Sequence, residues 1–361
     1  MKKMNIQYLL LVIFLILFQS SLLAQAKFTL STMPRIDTHA HVGGIERMTH
    51  FMEVRKILKD QFNEDLAMWI NLQFPLGPRA EGLDLLKSVE EKYQGRFLPT
   101  INDYQMADGL RFSPEELPEW QSRGVIGYKI WVGVSTAIDN PANDPTFTKM
   151  EQIGMIVASI HISQPYPRNC KDPVKYWESI KAWERVLDRH PKLVVVCAHM
   201  MNIFYSDEQL DYLEYFLDHY PNVYIDLACR LKDFYSMSHE KIRNFFIKYS
   251  DRILFGTDIM NFDVNQLSTS TKIPPELINL PNNESQKGKY QEVAEAYNRC
   301  FKILETDGVF SSEMFLPDVK GKTLQGLSLP VDVLEKIYYK NAMKLYPRIK
   351  NELKNLGYNV E

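Results

Sequence analysis

Four histidines and one aspartate of this chain are residue types that grip a divalent cation, and each closes a short apolar run. They are His39 and His41 in RIDTHAH, His161 in MIVASIHI, His199 in LVVVCAHM and Asp258 in ILFGTDI. Imidazole nitrogen and carboxylate oxygen suit zinc and similar ions, with Zn–N bonds near roughly 2.0 Å. Strand side chains alternate between faces with a period of two, so a His-x-His pair aims both imidazoles the same way. Alone, such a pair is weak evidence, because buried histidines satisfied by hydrogen bonds are common. The other four histidines supply a contrast. His190 in DRHPKL and His219 in DHYPNV close helix-like runs near a proline, where a cationic ring suits the helix C-terminal dipole. His50 and His239 sit in polar, helix-like or loop sequence. Those four read as structural, and the strand-end set reads as ligands.

Something must carry these strand ends to one point. After residue 26 the chain alternates β-branched or apolar runs with helix-patterned segments, which argues for βα units and a parallel sheet. Eight strands are expected, at Arg35 to His41, Ala67 to Gln73, Phe97 to Asn102, Val125 to Val132, Met155 to Ile162, Leu193 to His199, Val223 to Leu227 and Arg252 to Asp258. Ser113 before Pro114-Glu115-Glu116 and Asp172 before Pro173 are helix-start signals. Leu210, Leu213, Phe216 and Leu217 form a helical stripe within Asp207 to Tyr220. Eight such units close into a (β/α)8 TIM barrel, whose active sites lie at the carboxyl-terminal mouth. All five candidate ligands fall at that mouth. Residues Asn265 to Lys289 are rich in Ser, Thr, Pro and Asn and read as a long loop over it, a lid or a passive excursion. Two helical segments, Tyr290 to Glu305 and Val331 to Tyr346, complete a C-terminal helical extension.

The N-terminus has the layout of an export signal over residues 1–26: Lys2 and Lys3, the apolar run Leu9 to Phe18, and the small-residue site Ala24-Gln25-Ala26. That run is short of the ~20 residues needed to cross a bilayer. A single domain over 27–361 in an exported, periplasmic or secreted protein is therefore expected, with no stable membrane insertion after cleavage. The formal net charge of −3 carries no basic footprint for nucleic acid. A small-molecule substrate fits, and homo-oligomerisation stays open. The four cysteines, Cys170, Cys197, Cys229 and Cys300, form no CxxC pair or dense framework, although a Cys170 to Cys300 bridge is conceivable.

With those residues in view, the chain resembles the amidohydrolase superfamily, in its amidohydrolase-related branch of metal-dependent hydrolases and decarboxylases. The resemblance spans nearly all of the chain after residue 26. It rests on DTHAH ending the first strand, IHI on the fifth, CAHM on the sixth, FGTD on the eighth and a closing LPVDVLEKIYYKNAMKLY. It implies one catalytic metal, of the Zn2+ type, held by His39, His41, His161 and Asp258. His199 would touch the reacting water or substrate in a one-metal site and be a ligand in a two-metal site. Lys129 in IGYKIWVG lies near the place of the carboxylated lysine that bridges two ions in some relatives, with a substrate cation or a structural lysine as its other readings. Some relatives carry an acidic residue just after the fifth-strand histidine. This chain has Gln164 before Pro165, so the substrate end of its pocket departs from theirs.

Such an ion lowers the pKa of bound water to about 7, which makes hydroxide available near neutrality. Hydrolysis of an amide, ester or lactone follows, with Asp258 taking and returning the proton and His199 stabilising charge or shuttling a proton. Decarboxylation of a small unsaturated or aromatic acid is the alternative chemistry, and a non-catalytic exported metal- or solute-binding protein is a third reading. Arg230, Lys129 and Arg47 are cations able to hold an acidic substrate. Trp131 is a further pocket candidate.

Overall fold

A computed structural model describes residues 28–74, 79–103, 110, 112–131, 138–260, 282–312 and 321–360. Besides an antiparallel pair, Val309–Ser311 with Thr323–Gln325, the strands are β1 (Arg35–His41), β2 (Leu66–Asn71), β3 (Phe97–Pro99), β4 (Ile101–Asp103), β5 (Gly127–Trp131), β6 (Ile156–His161), β7 (Val195–Cys197), β8 (Val223–Asp226), β9 (Ile253–Leu254) and β10 (Ile259–Met260). Every pairing among them is parallel. They form two ladders, β10-β1-β2-β3 and β4-β5-β6-β7-β8-β9.

The two ladders are arcs of one ring. Thr100 alone separates β3 from β4, so both belong to one strand. The stretch Ile253 to Met260 pairs with β8 at its start and with β1 at its end. Between those ends Thr38 N–H donates to the Phe255 carbonyl at 2.9 Å and Asp258 N–H to that of His39 at 2.8 Å. The result is the eight-unit α/β barrel expected from the sequence. β1, β2, β7 and β8 are buried along their whole length, as strands covered on both faces must be.

Outer helices begin where local chemistry satisfies their free N–H groups. Asp172 Oδ1 accepts from Val174 and Lys175 at the head of Pro173–Arg189, as expected. Ser206 caps Asp207–His219, which buries Leu210, Leu213, Phe216 and Leu217. The Ser113 signal gives a different result. That helix is Leu117–Ser122, and the Glu116 carboxylate accepts from the Ser113 N–H at 3.0 Å instead of a serine cap forming. The helix Asn282–Glu305 begins before Tyr290, so residues 282–289 are helical and not loop. Glu284, Gln286, Lys287 and Lys289, all good helix formers, favour it there despite the asparagines, serine and glycine. Residues 265–281 of the expected loop lie outside the described residues. The closing segment is helical through Val331–Glu335, Lys336–Lys340 and Asn341–Leu345, followed by Pro347–Asn355. Asn341 donates to the Ser250 and Ile253 carbonyls, both at 2.7 Å, and ties this extension to the eighth strand.

All four cysteines are free thiols, so there is no Cys170–Cys300 bridge. The expected signal segment lies outside the described residues. Among the described residues no helix is long and apolar enough to cross a membrane.

Candidate metal centre

β1 ends on His39 and His41, with His39 fully buried and His41 nearly so. Across the ring, Gly256 leaves room for them: a Cβ there would lie 2.9 Å from that of His39 and 3.4 Å from that of Asp226. The glycine of FGTD is thus required by close approach of two strand ends.

His161 ends β6 as expected, but the candidate ligands His199 and Asp258 leave the strand geometry that the sequence suggested. β7 stops at Cys197, and His199 sits in a left-handed turn with φ of 58° at His199, 50° at Met200, 61° at Met201 and 55° at Asn202. Asp258 and Cys229 have φ of 63° and 55°. Non-glycine residues there cost about 1–3 kcal/mol each and persist only where their surroundings hold them. Asp226 supplies much of that hold: its Oδ1 accepts from the N–H of His199 at 2.9 Å and of Ala228 at 3.1 Å. Its Oδ2 faces His39 Nδ1 at 2.8 Å.

Five side chains then converge. His41 Nε2 lies 3.0 Å and His39 Nε2 3.3 Å from Asp258 Oδ1. His161 Nε2 and His199 Nε2 face each other at 3.0 Å. The ligand atoms of His39, His41 and Asp258 lie within 4.8 Å of one another, and so do those of His39, His161 and His199. His39 is common to both triads. Ligand atoms each about 2.0–2.1 Å from a tetrahedral ion are separated by about 3.3 Å, so these spacings fit a divalent cation. The proton inventory agrees. With Asp226 accepting from its Nδ1, a neutral His39 carries its lone pair on Nε2. With the Ala228 carbonyl accepting from its Nδ1 at 2.9 Å, so does His199. These outer partners are the type that fixes the tautomer of a metal-binding imidazole.

Electrostatics favours neutral imidazoles and an ionised carboxylate. Burial lowers the pKa of His41 and of His199 to about 4, and that of His161 well below the usual value. His39 moves the other way: burial opposes protonation, but the Asp226 carboxylate outweighs it. Burial also works against ionisation of Asp258, yet the imidazoles of His39 and His41 hold its pKa well below the ordinary carboxylate range. Lys129, almost fully buried on β5, points into the same cluster. Its Nζ lies 3.3 Å from His39 Nε2 and 3.4 Å from His41 Nε2, and burial lowers its pKa to about 8.

The remaining candidates divide. Arg230 is buried just beyond β8 and pairs with Asp233 at 3.0 Å. Arg47 lies on the helix Ile45–Ile57 and packs over Gly43, two residues past His41. Trp131 ends β5 with its backbone paired to His161, and its side chain lies outside the described ones. Two contributors escaped the sequence reading. Asp226 is a carboxylate inside the apolar run VYID, where an unpaired charge would be costly, and that mismatch was the available signal. Asp37, two residues before His39, accepts from Thr257 Oγ1 at 2.5 Å, Tyr297 OH at 2.6 Å and His39 N–H at 3.0 Å, fastening the strand beneath the ligands.

A parallel barrel with a histidine–carboxylate cluster at its mouth defines a class, the metal-dependent barrel enzymes. The Amidohydrolase family model matches residues 36–348, and the chain belongs to that family. Solved structures similar in fold include the dihydroorotase of Saccharomyces cerevisiae, 12% identical, covering 87% of this chain and 84% of that one with a TM-score of 0.51. The dihydroorotase of Campylobacter jejuni is 13% identical over 91% of this chain and 85% of its own, with a TM-score of 0.50. A probable 2-pyrone-4,6-dicarboxylic acid hydrolase of Acinetobacter baumannii is 14% identical over 87% and 100%, with a TM-score of 0.48. At these identities the likeness is one of fold. No curated protein matches the sequence.

Proposed function

We propose that this protein is an exported metal-dependent hydrolase that opens an amide, ester or lactone carbonyl of a small molecule. The observation that carries the reading is the pair of overlapping triads at the barrel mouth, with lone pairs of neutral imidazoles and an ionised carboxylate turned toward one another. His39, His41, His161 and Asp258 would hold one ion of the zinc type. Such an ion, when bound, supplies Lewis acidity toward a carbonyl oxygen and acidifies water.

The chain's own groups do the rest. Asp258 Oδ1 faces His39 and His41 while its Oδ2 accepts from Cys229 Sγ at 3.2 Å, so the carboxylate is held in one orientation. Ionised, it can take a proton from water and deliver it to the leaving group. His199, kept neutral by burial, presents Nε2 and can accept or relay a proton. Asp226 moves no proton in this scheme. It orients His39 and pins the His199 turn.

Two observations favour second readings. Arg230 and Lys232, buried just beyond β8, suit an acid, and decarboxylation of a carboxylic acid would use the same ligands. The position of Lys129 among the imidazoles supports the second of these, two ions bridged by a carboxylated lysine. Elemental analysis of the purified protein separates one ion from two. Turnover of amide, ester, lactone and carboxylic acid panels with and without chelator tests the enzyme reading. Incorporation of labelled solvent oxygen identifies the hydrolase, and carbon dioxide release identifies the decarboxylase. Bound metal with no turnover of any panel member would reject both.

A further inference from the structure

The turn after β8 brings a thiol against the acidic ligand. Cys229 Sγ lies 3.2 Å from Asp258 Oδ2, while Asp258 Oδ1 faces His41 Nε2 at 3.0 Å and His39 Nε2 at 3.3 Å. The two oxygens of one carboxylate therefore look in different directions, one into the cluster of imidazoles and one toward sulfur. An ionised carboxylate only accepts hydrogen bonds, so the proton between the two groups sits on sulfur.

The contact is built into the backbone. Cys229 has φ of 55° and Asp258 φ of 63°, the left-handed region that residues other than glycine keep only where neighbours hold them. What holds Cys229 is the residue before Asp258: the Cys229 N–H donates to the Thr257 carbonyl at 3.3 Å. Thr257 is fixed in turn, its N–H donating to Asp37 Oδ1 at 3.1 Å and its hydroxyl to Asp37 Oδ2 at 2.5 Å. Thiol and carboxylate thus sit on two segments tied together through one threonine. The other cysteines are placed differently. Cys197 and Cys300 are buried in the apolar core, and Cys170 donates to the Asp172 carbonyl at 3.2 Å. A carboxylate that is free to turn can grip a cation through one oxygen or through both. At Asp258 the second oxygen is the one that accepts from sulfur, and S–H is a weak donor, so Oδ2 is steered without losing its capacity to accept again.

We propose that Cys229 is a positioning residue for Asp258: its thiol holds Oδ2 away from the cation, so that the carboxylate offers the ion Oδ1 alone. The inference rests on the proposed hydrolase reading, in which the oxygen left over takes the proton of water, but its test reads coordination and not turnover.

Cobalt(II) reports the number of atoms that hold it, because its visible d–d bands weaken as that number rises. The full chain, stripped with chelator and reloaded with Co2+, is compared as wild type, Cys229→Ser, Cys229→Ala and Cys229→Gly. Serine keeps a donor and should reproduce the wild-type spectrum. Alanine and glycine remove the donor, and both should lose d–d intensity as Oδ2 joins the cation. Glycine accepts a φ of 55° without strain, so that variant decides the matter should the alanine variant not fold. Identical spectra in all four proteins overturn the assignment and leave the metal centre standing. A serine spectrum that matches alanine overturns it as well, since side-chain volume and not the hydrogen bond would then set the geometry. A sulfur-to-cobalt charge-transfer band in wild type would make Cys229 a ligand and overturn its positioning role. If wild type takes up no Co2+, the metal centre and this assignment fall together. The expected spectra without turnover of any amide, ester or lactone would support the role of the thiol and reject the hydrolase reading alone.

Discussion

The two ends of β1 are both buried and both polar, yet they are built on opposite rules. At its start Arg35 meets Glu64 at 2.5 Å and Glu305 at 2.6 Å, while Lys302 adds a second cation at 2.9 Å from Glu64. Tyr338 donates to Glu305 at 3.0 Å, and the guanidinium lies over the Phe301 ring at 4.4 Å. Two cations and two carboxylates close on themselves. At the other end, four to six residues on, His39 and His41 gather with His161 and His199 around one point. A buried cluster that balances its own charge holds the barrel together. One that gathers imidazole nitrogens and a carboxylate around a point suits a divalent cation. The barrel architecture puts the first kind at its base and the second at its mouth.

Substitution at each end breaks the comparison if both clusters do the same job. Asp258→Asn removes the charge and the proton acceptor, and should lower turnover by roughly 10²–10⁴-fold, the usual worth of a positioned acid–base group. Its urea midpoint should stay close to wild type, because the side chain is not part of the packed layers. Arg35→Ala should do the reverse. Leaving Glu64 and Glu305 buried without their partner should cost about 3–5 kcal/mol of stability, read as a lower urea midpoint. The folded fraction should keep wild-type metal content. A large stability loss in the Asp258 variant, or lost metal in folded Arg35 variant, would erase the distinction.

The sequence made the mouth legible at the level of residue type and strand end. His39, His41 and His161 close β1 and β6 as read, because an apolar run that stops on a polar residue marks where a buried strand emerges. His199 and Asp258 were legible as participants but not in conformation. Their left-handed backbone depends on Asp226 and on the His39 carbonyl, partners remote in sequence, and propensity favours no such turn for histidine or methionine. Lys129 was placed near the site, but its register against His39 is a property of the closed ring. Lys232 carried no signal, since an ammonium in LKDF reads as surface until the fold buries it. The Ser113 helix start failed because the Glu116 N–H donates to the Ser113 carbonyl and not to its hydroxyl, and the helix began later, at Leu117.

Asp226 sharpens the contrast by a smaller amount. Its two oxygens accept from three donors, His39 Nδ1, His199 N–H and Ala228 N–H. Asp226→Asn must turn an amide N–H against at least one of them. Metal affinity should fall about 10–100-fold, the range for outer partners of ligating histidines. Competition with a fluorescent chelator measures it. Unchanged affinity would mean that His39 keeps its tautomer and orientation without the carboxylate.

The smallest effect is a count of protons. Imidazoles with ordinary pKa values near 6.5 are largely protonated about one unit below that value, so each would release a proton on binding a cation. Here burial holds His41 and His199 to about 4 and His161 well below the ordinary value, so those three are already neutral. Only His39, raised by Asp226, has a proton to lose. Metal loading about one unit below the ordinary imidazole value should therefore release at most one proton, measured by calorimetry in buffers of different ionisation enthalpy. Release of three or four would show that the histidines are solvated and that the cluster is not built as described. The same shifts fix the sign for the metal-free protein. A base whose folded pKa is depressed contributes stability above its unfolded value near 6.5, and loses it as pH falls toward about 4, because the unfolded chain takes up protons that the folded chain refuses. The urea midpoint of the chelated protein should fall across that window, and added metal should raise the midpoint, since an ion that binds only the folded state stabilises it by mass action.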